Sequence, residues 1–186
     1  MSPDHRIEEI RASFDDDQEV PQETVRRWME AVDSEVLGCL FSFLSRSRFS
    51  QRVAPPIPVV ELDEFARRYL LQCINTNPQS EWTLGSYDAA WATWQWLEWL
   101  AKTGDPAGRL PLWRDALARA YKAGDARVRE VLVNGTIEHI FENRSLRKLF
   151  RIWMDDPDLG AAYRDGMAWV TEGGAEHSDY PRGSKR

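Results

Sequence analysis

Four tryptophans, Trp91, Trp94, Trp96 and Trp99, crowd the run SYDAAWATWQWLEWLAK. Projected at about 100° per residue, Leu97, Leu100, Ala89, Ala90 and Ala101 fill one broad side, with Trp94 and Trp96 at its flanks. Glu98, Lys102, Gln95 and Asp88 share a narrow polar stripe, and Trp91 falls in its middle. A helix apolar around most of its circumference is normally central and buried. Trp91 is stranded among charges. It is either covered on all sides or faces a partner, because Trp is a typical interface anchor.

The remaining segments carry helical periods and helical punctuation. Ser2-Pro3 reads as a cap followed by proline at the first helical position, leading through Ile7, Ile10 and Phe14. DDDQEVP breaks the chain, and Pro21 starts a second helix with Val25, Trp28, Met29 and Val32 at helical spacing. A third runs from Ser34 through Val36, Leu37, Leu40, Phe41 and Leu44. Residues 46–60, RSRFSQRVAPPIPVV, interrupt the pattern, since clustered prolines favour extended chain. That stretch is a packed connecting loop or a rigid binding edge bearing Arg46, Arg48 and Arg52.

Helix resumes with Leu62, Phe65, Ala66, Tyr69, Leu70 and Cys73 inward, and Ser86 is placed to cap the tryptophan helix. Further helices are expected from Leu110 to Lys122 with Leu112 and Trp113 inward, over DARVREVLVNGTIEHIFEN, after Asn143 or Ser145, and from Asp156-Pro157. No segment alternates as a strand would. The expected fold is all-α: a compact bundle of about eight helices in antiparallel hairpins, HEAT-like in its second half. One domain is expected over residues 1–171, with a loose tail at 172–186.

Charge narrows the function. Residues 1–35 hold 11 acids against 4 bases, whereas the remainder holds 19 against 20. An acidic chain is a poor ligand for nucleic acid, which needs a field of Lys and Arg. Its first part suits a basic partner instead. No apolar run approaches the length of a membrane span. The acidic start lacks the basic and apolar regions of a signal peptide, so a cytoplasmic protein is expected. Cys39 and Cys73 sit among apolar residues without zinc-site spacing and read as reduced core thiols.

Chemistry finds little support. His5 and His177 lie near the ends, leaving His139 as the histidine inside a helix, on a face with Val128, Leu132 and Gly135. A histidine there is usually packed, with one ring nitrogen bonded to backbone. The alternative, a metal ligand beside Glu142, lacks the three or four ligands zinc requires, so no metal and no cofactor are expected. No nucleophile elbow, phosphate loop or dinucleotide fingerprint occurs. Arg144, Arg147, Lys148 and Arg151 form a basic stripe, read as a solvated face paired with Glu142, Asp155 or the acidic helices. Trp28, Trp113, Trp153 and Trp169 read as core, and Gly135 as a point of close packing.

The stretch VLVNGTIEHIFENRSLRKLFRIWMDDPDLGAAYRDG is similar to the C-terminal part of small all-helical bacterial proteins regarded as immunity proteins of polymorphic toxin systems. The elements that carry the likeness are the apolar helix ending Ile137-Glu138-His139-Ile140, the Glu-Asn linker, Leu146-Arg147, and the closing helix after Asp-Pro. The resemblance implies a protein that occludes a toxin's active site and needs no catalytic residues of its own. The expected partner is a basic bacterial toxin. The expected contact residues are Asp15, Asp16, Asp17, Glu19, Asp88, Trp91, Gln95 and Glu98. A helical adaptor of a larger assembly, or an enzyme with a pocket around His139, is the alternative.

Overall fold

Four helices begin where short polar side chains take over unsatisfied backbone N–H groups. In this computed structural model, which describes residues 2–15, 18–105 and 107–172, Asp33 accepts from the N–H groups of Glu35 and Val36. Asp125 accepts from Val128, Asn143 from Ser145 and Leu146, and Asp156 from Asp158 and Leu159. Each of these residues opens a helix by supplying the partner that the first turn lacks.

Helices occupy 77% of the chain, so the protein is all-α. They are α1 (Pro3–Asp15), α2 (Gln22–Met29), α3 (Ser34–Leu44), α4 (Ser47–Ser50), α5 (Val59–Thr76), α6 (Ser86–Lys102), α7 (Leu110–Ala123), α8 (Ala126–Leu132), α9 (Glu138–Glu142), α10 (Arg144–Phe150) and α11 (Pro157–Glu172). A π-helical turn, Val133–Ile137, joins α8 to α9, and a 3-10 turn, Arg151–Asp155, follows α10. Among the described residues the strands are limited to a parallel bridge of two two-residue segments, in which Val20 pairs with Val53 and Pro21 with Ala54. Contacts divide the chain into two units, Met1–Ala89 and Ala90–Arg186, with the boundary inside α6.

In the first unit α3 is the hub, and α1, α2, α4 and α5 pack on it. Its sequence SEVLGCLFSFL buries Val36, Leu37, Gly38, Cys39, Leu40, Phe43 and Leu44, which cover more than one face. Phe14 of α1 stacks on Phe43 at 4.8 Å and meets Phe49 of α4 edge-on at 5.9 Å. Arg52 holds the proline-rich segment down. Its guanidinium donates to the carbonyl oxygens of Phe14 (2.7 Å), Gln18 (2.6 Å) and Ser13 (3.3 Å). Arg52 is therefore spent on the protein's own backbone, as in a packed connecting loop. Residues 46–60 also contain the helical turn α4, which their prolines concealed. Val32, expected on the face of the second helix, is 92% exposed because α2 stops at Met29.

In the second unit α11 packs against the π turn, α9, α7 and the 3-10 turn, and α10 lies on α7 and α9. Trp113 and Trp153 are buried, as their stripes predict. Trp169 is only half-buried and Leu112 lies exposed, both contrary to expectation. Gly166 of α11 is a true close approach: a Cβ there would sit 2.8 Å from Ile137 of the π turn. The expected tail at 172–186 lies outside the described residues apart from Glu172, which closes α11.

Candidate functional site

Leu97, Leu100, Ala89 and Ala90 are fully buried, so α6 uses the broad apolar side that its wheel predicts. The opposite face is open. Asp88 and Gln95 are exposed, Trp91 is 37% exposed, and Trp99 is 38% exposed. Glu98, expected to be free beside Trp91, is half-buried and paired with Lys102 at 2.7 Å. Trp99 was not singled out from the sequence. Its signal was available, however, because it lies four residues beyond Gln95 on the same exposed face.

Trp91 is held from within the second unit. Its ring meets Trp94 and His139 edge to face, each at 4.7 Å between centroids, and Trp94 lies 5.0 Å from His139. Aromatic contacts of this geometry contribute about 0.5–1.5 kcal/mol each beyond area burial. The π turn is what brings His139 there. A π turn inserts one residue, and so rotates everything after it by about 100° relative to a regular helix. Gly135, buried within that turn, needs no room for a side chain. Thr136 then donates its hydroxyl to the carbonyl of Ala90 at 2.8 Å in a buried setting, which pins the π turn to α6. Downstream of it α9 buries Ile140 and Phe141.

The His139 ring is bonded to the backbone of Asn134, as a packed histidine is expected to be. Burial holds the imidazole below its ordinary pKa, opposed by nearby Glu142 and by the Asn134 bond. Its Nδ1 lies 3.9 Å from Glu142 Oε1, beyond hydrogen-bond reach. Glu138 on the preceding position is pushed up, first by burial and then by Asp165. Among the described residues no three His, Cys, Asp or Glu side chains converge as metal ligands. No described helix is long and apolar enough to cross a membrane.

The acidic set belongs to the first unit. Asp15, at the end of α1, and Glu19 are exposed; Asp16 and Asp17 lie outside the described residues. Asp4, Glu8, Glu23 and Glu30 are exposed as well. The two arginines of α2 are already engaged: Arg26 grips Glu61 through two nitrogens at 2.7 and 2.8 Å, and Arg27 pairs with Glu9 at 2.8 Å. Asp33 is used as a helix cap. In the second unit Arg144, Lys148 and Arg151 are exposed and Arg147 is half-buried, so the basic stripe is a largely solvated face, as expected.

No protein-family model matches the chain, and no curated protein or solved structure matches it either.

Proposed function

We propose that this protein works by binding another protein without catalysis, and that the partner is a basic bacterial toxin whose active site it occludes in the cytoplasm. The exposure of Asp4, Glu8, Asp15, Glu19, Glu23 and Glu30 in one unit carries this reading. The two arginines of α2 do not quench that charge, because Arg26 and Arg27 are committed to Glu61 and Glu9. Toxins that act on nucleic acid present basic clefts, and an acidic face is steered into such a cleft at an increased association rate. The resemblance of the C-terminal stretch to immunity proteins supports the same partner class.

Co-expression with a nuclease-type toxin whose gene is found to adjoin the gene for this chain tests the reading. The native chain should restore growth. The pair Asp15→Lys and Glu19→Lys should lower the association rate about tenfold while leaving the melting temperature in place, since both residues are exposed. Full association by the charge-reversed variant would remove the acidic face from the contact. Absence of protection by the native chain would remove the toxin as partner.

A further inference from the structure

We propose that α6 pairs with α6 of a second copy of this chain, antiparallel, about a twofold axis passing beside Gln95. Asp88, Trp91, Gln95, Glu98 and Lys102 follow one another at spacings of three and four residues, the period of a helix–helix seam. Asp88 and Gln95 on this seam are exposed, and Trp91 and the adjoining Trp99 are more than a third exposed. The arrangement is self-complementary. Trp91 stands four residues before Gln95 and Trp99 four after it; Asp88 stands seven before and Lys102 seven after. A twofold axis at Gln95 therefore sets Trp91 of each copy against Trp99 of the other, and Asp88 against Lys102. Each contact occurs twice, as in any isologous interface.

Two further observations fit this occupant. Both indoles are held in advance, Trp91 by Trp94 and His139 and Trp99 by Trp96 at 5.0 Å. Association then freezes little additional side-chain freedom. Glu98 already positions the Lys102 ammonium at 2.7 Å, leaving donors for the facing Asp88. The face carries both signs of charge, which suits a copy of itself better than an anionic membrane. One helix pair buries less than a standard interface, so the dimer dissociates on the order of tens of micromolar.

Sedimentation of the full chain over about a hundredfold concentration range around that value tests the proposal, and the outcome is independent of any toxin. The native chain should pass from monomer to dimer. Asp88→Lys and Lys102→Asp should each weaken the dimer about tenfold, because each places like charges together twice. The double variant should recover the native constant. Residues 88 and 102 are about 21 Å apart along one helix, so no effect within a single chain imitates that recovery. Gln95→Cys should oxidise to a disulfide-linked dimer faster than Arg119→Cys, which is also exposed; the native Cys39 and Cys73 are buried. A monomer at every concentration, singles that dimerise normally, a double variant without recovery, or equal cross-linking at 95 and 119 would each overturn the pairing.

Discussion

The indole of Trp91 and the imidazole of His139 meet edge to face, with centroids 4.7 Å apart and planes at 73°. This contact joins the exposed side of α6 to α9, and it exists because the π turn at Gly135 changes the phase of the helix that carries His139. An exposed Trp is usually free to swing. Here it is a fixed knob, and the residue that fixes it is an imidazole whose pKa burial holds below its ordinary value.

The pH dependence of His139 follows from its burial. The folded midpoint lies below the ordinary 6.5, so the unfolded chain takes up the proton first as the pH falls. Stability from this group is complete above 6.5 and declines from there down to the folded midpoint, below which it levels. Glu138 acts with the opposite sign: its raised carboxyl is protonated first in the folded state, so acidification relieves it. In a Glu138→Gln background, urea midpoints should fall between about pH 7.5 and pH 5.5, and His139→Gln should remove that part of the fall. The imidazole's own NMR titration is the direct check. A midpoint at or above 6.5 would show that the ring is not buried between the two indoles.

Arg52 ties the proline-rich segment to the end of α1 by donating to three backbone carbonyls. Charge-assisted bonds of this kind are worth about 1.5–3 kcal/mol, so Arg52→Ala should cost roughly 2–3 kcal/mol in urea denaturation. Arg52→Lys should recover little, since one ammonium cannot span the carbonyls that the planar fork reaches. Recovery by lysine would mean that charge alone, without the fork geometry, holds the segment.

Helix starts were legible because their cause is local: Asp33, Asp125, Asn143 and Asp156 each act within three residues. The buried side of α6 was legible for the same reason, since a wheel needs only the helix itself. Periodicity does not report where a helix stops, which is why Val32 was placed inward although α2 ends three residues earlier. The role of Arg52 and the bridge between Val20 and Val53 join residues more than thirty positions apart, and nothing in the local pattern encodes them. Asp63 is fully buried in α5 although an acid reads as surface. At the candidate site, Gly135 marked the place of the π turn before His139, but one mid-helix glycine does not distinguish close packing from a change of helical phase. Trp91 was isolated from the sequence because it interrupts a charged stripe. Trp99 was missed because it lies beside that stripe and not within it.

Gly38 lies in the middle of α3, where glycine is costly: on helix propensity alone, alanine there should gain about 1 kcal/mol. The packing predicts the reverse sign. A Cβ at this position would sit 1.9 Å from the backbone carbonyl oxygen of Trp82 and 2.7 Å from the hydroxyl of Tyr69. The first is backbone, which cannot rotate away. The second accepts from the N–H of Leu84 at 3.1 Å, so moving it also breaks the bond that holds this loop. Overpacking of a filled core typically costs 1–3 kcal/mol, and backbone displacement lies at the upper end, so Gly38→Ala should destabilise by about 3 kcal/mol. Removing the hydroxyl in Gly38→Ala/Tyr69→Phe should not rescue it, because the clash with the Trp82 carbonyl persists and Leu84 loses its acceptor. Urea midpoints of the native chain and these two variants decide the matter. A stabilising Gly38→Ala would mean that the loop carrying Trp82 does not press on α3 at Gly38.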